Sequence, residues 1–452
     1  TRIKPDLIYA NGKVPRVDIL HLHHGVWASV GAPDATRASL PAERFFAAGE
    51  EKTIFTIPKG YGYPYKASSV WVLNHMIHNL ITQPAQVYLT YTIDFIPATS
   101  AVARTIRPVK PVWMDVQNGE LYPVFDVHRG DGKNGRYTYP TQAHNPYGNG
   151  ERKNEWVVPQ NGVLVATAGH LHPGGLHTDM WVTRPGAKAA KAHCSRRASA
   201  AARKRCARSQ PSVKGSTAHL FRSDAKYFEP AGAVSWDVAM TATRPDWRVK
   251  LRKGDTLKVT ATYDSKRAAW YESMGIMIAY MASGGPGADP FKQRVDWPGK
   301  VTHGHLPEND NHGGKATDLP DARTLPDGVF APGPIDITGF TYRYGDLNLP
   351  GDRGRPPVVH PGQSLNFVLS QQDNSQGIYH SITSCKAPCN RTTGIAYPLA
   401  DGKFDFDSGQ LGDKVPAVGR TDWKTPKSLP QGTYTYFCRI HPSMRGAFRV
   451  KR

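Results

Sequence analysis

Apolar residues in this chain recur at every second position or in short β-branched runs, not at the three-and-four spacing of an amphipathic helix. WVVPQNGVLVATAGHLH (156–172), DTLKVTATYDS (255–265) and SLNFVLS (364–370) are bounded by Gly, Pro, Asn or Asp. The pattern predicts an all-β protein whose helices are short and rare. No apolar run approaches the ~18 residues that a membrane-spanning helix needs, so none is expected. Two stretches break the rhythm. Residues 184–215 carry ten Lys or Arg, no acid and many Ala, and read as a solvated basic insertion. Residues 298–334 are rich in Pro, Gly and Asp and read as a linker. The expected organisation is therefore 1–165, 166–297, the linker 298–334 and 335–452, and 452 residues suit two or three domains.

Composition sharpens this reading. Gly 43 and Pro 37 supply many turn formers. Five cysteines are too few for a disulfide-built scaffold in a chain this long. Cys194 with Cys206 and Cys385 with Cys389 are the simplest local pairs, leaving Cys438 as a single thiol. Such pairs, and a start at Thr1 without Met or an apolar targeting segment, lead to the expectation of an extracytoplasmic protein. A formal net charge of +20 favours acidic neighbours, so polyanionic or cell-surface contact through 184–215 is a further expectation. That stretch has no interleaved aromatic residue for base stacking.

The strongest chemical signal is GTYTYFCRIHPSMRGAFRVKR at the end of the chain. Cys438, His441 and Met444 share one short loop between two strand-like segments, and His380 follows the strand SLNFVLS upstream. A thiolate, two imidazoles and a thioether form the His2Cys set with a weak axial Met that suits copper, and a closed zinc site would not select Met. Residues 335–452 resemble the cupredoxins, plastocyanin and amicyanin, with a C-x2-H-x2-M loop most like amicyanin. The resemblance implies a Greek-key β-sandwich with one type-1 copper held by His380, Cys438, His441 and Met444. The Cys385–Cys389 pair beside His380 departs from that pattern.

Histidines also cluster earlier. VDILHLHHGVW carries His21, His23 and His24; VWVLNHMIHNL carries His75 and His78; GHLHPGG carries His170 and His172; and WYESMGIMIAYM carries Met274. His170 and His172 stand two apart, so both face one side of a strand. His23 and His24 can share a metal only where the backbone twists or bulges. The order HH, strand His, H-x-H, Met is similar to that of the copper type II, ascorbate-dependent monooxygenases, the family of peptidylglycine α-hydroxylating monooxygenase and dopamine β-monooxygenase. By that resemblance His23, His24 and His78 match an electron-transfer copper site, with His75 competing for the third place, and His170, His172 and Met274 match an oxygen-binding site. It implies two jelly-roll-like β-sandwiches over about residues 15–295, one copper each, facing an open cleft. Ala168 stands where the amidating enzyme has an Arg, Ile276 and Ile278 replace its Asn and Tyr, and no cysteine precedes Cys194. Peptide amidation is therefore not expected, and an uncharged or apolar small substrate is.

Together these readings predict about three copper ions and hydroxylation of a C–H bond with O2 and an external electron donor, with the blue-copper domain as a tethered donor. The alternative is a non-enzymatic extracytoplasmic electron-transfer or copper-binding protein on the same scaffold. His303, His305 and His312 read as part of a mobile linker, Arg129-Gly130-Asp131 as a turn, and Asn390-Arg391-Thr392 as a glycosylation sequon. Nucleotide-binding, serine-hydrolase and zinc-peptidase motifs are missing from the sequence.

Overall fold

The computed structural model describes residues 1–17, 19–80, 83–118, 123–148, 150–188, 199–228, 232–234, 236–307, 319–389, 405–413 and 419–452. It is built of β-strands, with two short α-helices among the described residues, Ala200–Arg208 and Gln371–Gln376. No described helix is long and apolar enough to cross a membrane.

The first 300 residues form interleaved sheets. A 13-stranded sheet includes Thr256–Asp264, Gly175–Thr183, Thr217–Tyr227, Val238–Ala242, Gly162–Leu171, Gly275–Ala282 and Arg107–Asp115 as successive neighbours. Arg107–Asp115 pairs antiparallel along seven residues of Gly275–Ala282. The boundary expected near 165 thus falls inside the strand Gly162–Leu171, and one sheet draws strands from both expected halves. The reason is visible in GIMIAYMA, where every residue is buried, as a strand covered on both faces must be.

A separate three-stranded sheet orders Ala42–Ala48, Leu20–Val30 and Trp71–Asn79. Its register explains the HLHH motif. His21 pairs with His78, Leu22 with Ile77 and His24 with Met76, so His23 is an extra residue in a bulge. Met76 and His78 are two apart and share a face, so the bulge brings His21 and His24, an odd and an even position, to that same face. His75 pairs with Gly25 on the opposite face and is exposed.

The C-terminal part has two four-stranded sheets, one containing Ile335–Thr338 and Asn366–Leu369, the other Gly432–Phe437 and Arg445–Val450. Ile335, Ile337 and Phe367 from the first pack with Tyr436 and Phe448 from the second in one core. The stretch expected to be a linker is partly integrated. Lys300–Val301 pairs with Val238–Ala242, Ala322 is buried against Leu347 and Ala447, and Lys451 Nζ reaches Asp327 Oδ2 at 2.7 Å. Polar, turn-rich composition hides such edge pairing because its partners lie far away in sequence. Cys385 and Cys389 form a disulfide, and Cys438 is the free cysteine among the described residues. Cys206 is disulfide-bonded. Cys194, His312 and the sequon at Asn390 lie outside the described residues, as do 189–198 of the basic insertion.

Candidate metal centres

The C-terminal centre is built from two places. His380 stands between the helix Gln371–Gln376 and the strand Thr383–Cys385; Cys438 and His441 follow the strand Gly432–Phe437. His380 Nδ1 is 3.3 Å from His441 Nδ1, and Cys438 Sγ is 3.9 and 3.8 Å from those two nitrogens. The backbone amides of Ser381 and His441 each donate to Sγ at 3.4 Å, an arrangement that favours thiolate against the burial that raises its pKa. Asp373 Oδ2 accepts from His380 Nε2 at 3.2 Å, which turns Nδ1 toward the thiol. Met444, 1 % exposed, closes the loop through its amide, which donates to the His441 carbonyl at 2.8 Å. These three ligand atoms form one compact group able to hold a metal ion.

A second group joins His21, His23 and His78. His21 enters it through the bulge, beyond the His23/His24/His78 set expected from sequence. His24 lies nearby, its ring 5.4 Å from that of His23. The His23 ring is stacked 4.1 Å from His78 and lies 4.2 Å from His172. Imidazoles of the two expected sets thus lie side by side, with Trp236 against His21, His23 and His172.

His170 and His172 are 5.0 Å apart, nearly perpendicular, and diverge. His172 lines a cavity with His23 and His78, whereas His170 lines another with His24 and Met274. The Tyr263 hydroxyl ties the two branches together. It accepts from the amides of His172 at 3.2 Å and Met274 at 3.0 Å, and donates to the Met274 carbonyl at 2.6 Å.

Each of three rings is anchored through Nδ1. His21 donates to the Val17 carbonyl at 3.1 Å, His170 to Glu51 Oε1 at 2.9 Å, and His172 to the Glu272 carbonyl. In all three the buried Nε2 has no hydrogen-bond partner. Buried polar atoms left so are costly, and an oriented imidazole with one nitrogen bound and the other vacant is how proteins present histidine to a metal. The residues therefore fit a metal better than they fit a closed polar core.

Electrostatics agree. Burial, and then the neighbouring histidines, hold His21, His23 and His172 well below the usual histidine range. His24 falls to about 3 through burial and His170, His78 to about 4 through burial, and His441 to about 3 through burial and His380. All are neutral at pH 7, the state a ligand requires. The metal-free chain should keep its full stability above about pH 6.5 and lose it as pH falls from there toward 4, because over that window these histidines take up protons only in the unfolded chain, an effect that the buried carboxyls of Asp115, raised to about 6, and Asp126, raised to about 7, offset only in part. Each histidine contributes about 1.4 kcal/mol per pH unit. Urea midpoints of chelator-treated protein at pH 7.5, 6 and 5 should fall steadily; a flat series would refute the buried neutral cluster.

Sequence reasoning missed Glu51 and Glu272. Glu51, 1 % exposed, lies in the loop after Ala42–Ala48, and a Cβ on Gly49 would stand 2.7 Å from the His170 ring. Glycine is required there for close approach. Two adjacent acids after a glycine, in an otherwise apolar segment, were the available signal. Glu51→Gln should weaken metal binding at His170 by 10–100-fold, read by competitive chelator titration, while leaving the His380/Cys438/His441 centre unchanged. Glu272 takes a left-handed φ of 52°, unusual for a residue other than glycine, and its carboxylate Oε2 lies 3.5 Å from His23 Nε2.

No protein-family model matches the chain, and no curated protein does. Among solved structures, the Cu-containing nitrite reductase (NirK) from Thermus scotoductus SA-01 is similar to it at 13% identity, with a TM-score of 0.17. That alignment covers 65% of this chain and 59% of the other, less than two thirds of the latter's length. So loose a likeness leaves the chemistry to the residues themselves: two candidate metal centres whose imidazole and thiolate donors suit copper.

Proposed function

We propose that this chain is a copper redox enzyme that hydroxylates a C–H bond, R–H + O2 + 2 e⁻ + 2 H⁺ → R–OH + H2O, drawing both electrons from an external reductant through the His380/Cys438/His441 centre. The observation that carries the reading is one cavity lined on one side by His23, His78 and His172 and on the other by Arg439 and Ile440, the two residues between Cys438 and His441. Copper, when bound, would supply one-electron transfer and oxygen activation. His21, His23 and His78 would hold it beside the C-terminal centre, and His170, His24 and Met274 would hold it beside the second cavity, with His172 between. Arg439 lies over Trp270 at 5.2 Å and 3.6 Å from Asp407, which accepts from the Ala269 amide at 2.7 Å. These contacts seat the C-terminal sandwich on the histidine cluster, so delivery is intramolecular. Asp126, raised to about 7 by burial and by the nearby Glu272 carboxylate, can hold a proton at neutral pH next to Glu272, a residue of that cavity's wall.

Metal analysis with stopped-flow reduction tests this. About three coppers per chain, a blue band that bleaches on reduction and reoxidises with O2, and substrate-dependent O2 uptake are expected. A blue centre that passes no electron onward would refute the relay. A second reading, a copper-binding electron carrier, draws on the histidine excess over two three-ligand sites; one blue copper and no O2 uptake would favour it.

A further inference from the structure

The cavity that holds His170 and Met274 has a wall set apart from both metal groups. It encloses about 280 Å³. On the strand Leu20–Val30, alternate residues His24, Val26, Ala28 and Val30 line it, one face of one strand. Val72 and Asn74 line it from the neighbouring strand, and Ala42, Ala47 and Ala48 from the other. The small alanines make the space. Val30 and Val72, 46% and 50% exposed, mark its open end, while His24, His170 and Met274, all buried, mark its inner end.

Its one cationic wall residue is already neutralised. Arg44 donates from Nε to Asp34 Oδ2 at 2.8 Å and from Nη2 to Asp34 Oδ1 at 3.0 Å, and its Nη1 lies 3.9 Å from Asp115. A ligand carboxylate would have to displace Asp34 from a buried bidentate pair, which breaking leaves strongly destabilised. Asn74, at the exposed end, can meet a hydroxyl.

We infer that this cavity binds an uncharged, largely apolar molecule of about ten to twelve carbons, since a cavity of about 150 Å³ lined by aliphatic side chains holds benzene. Its apolar end lies toward His24, His170 and Met274. Naming that molecule as the substrate rests on the oxygenase reading above; the binding does not.

Calorimetric titration of the full chain with decan-1-ol and with decanoate at pH 8 tests the inference. Decan-1-ol should bind at least tenfold more tightly than decanoate. Ala28→Phe should weaken decan-1-ol at least tenfold, and Val72→Asp, at the exposed rim where folding is not at stake, should weaken it severalfold. Equal affinities, or no effect of either substitution, would overturn the inference, as would sedimentation showing that a second copy of the chain fills the cavity. Decan-1-ol binding without stimulated O2 uptake upholds the cavity assignment and removes its naming as the substrate pocket; O2 uptake with another substrate, and no decan-1-ol binding, overturns the cavity assignment and leaves the oxygenase reading standing.

Discussion

Cys438→Ser should abolish the intense visible absorption of the copper-loaded protein and lower its metal content by one ion per chain, leaving the histidine cluster loaded. The thiol is fully buried, within 4 Å of both His380 Nδ1 and His441 Nδ1, and no other described cysteine is free. Serine keeps the shape and can still accept from the Ser381 and His441 amides, so the fold should survive. A soft, readily oxidised donor is replaced by a hard one that copper in this geometry binds poorly. If the blue band persisted in the serine variant, the C-terminal centre would have been misassigned. Reduction of the remaining metal by a slow external donor should then proceed at the same rate as in an isolated histidine site.

The second large effect is expected at His172. Its ring lies 4.2 Å from that of His23 and 5.0 Å from that of Trp236, and it lines the cavity shared with Arg439 and Ile440. His172→Phe retains an aromatic ring of similar outline while removing both ring nitrogens. O2 uptake should fall about 100-fold, the upper end of the loss expected for a residue that orients ligands, because the change removes the unpartnered imidazole nitrogen standing between the two histidine sets. The blue absorption should be unchanged. Full activity in this variant would mean that His170, His24 and Met274 suffice, and that His172 is a packing residue.

Much of this was legible from local pattern. Strand alternation led to the all-β architecture, and Cys438 and His441, whose Sγ and Nδ1 lie 3.8 Å apart, are separated by only two residues on one loop. The histidine pairs were legible as residues but not as partners. Whether His78 or His75 faces His23 depends on register, and register depends on a bulge that no turn residue announces. His21 joins the group for the same reason. Glu51 and Trp236 reach the cluster from more than a hundred positions away from His170 and His23, respectively, through contacts that leave no periodic trace. The divergence of His170 from His172 escaped a rule based on regular strands because His172 lies beyond the end of Gly162–Leu171.

The extra residue at His23 has a consequence for how this segment tolerates change. Leu22 and His24, on either side of it, pair with the adjacent Ile77 and Met76, so deleting one residue at 22–23 would close the bulge, keep His21 opposite His78 and take the His23 imidazole out of the group, while adding one would have to widen the bulge or shift the register. Length there is as constrained as identity. The loop 31–41, which joins this strand to the next, should by contrast accept insertions at its exposed positions, and a library of single-residue insertions across 20–41 would map that contrast directly.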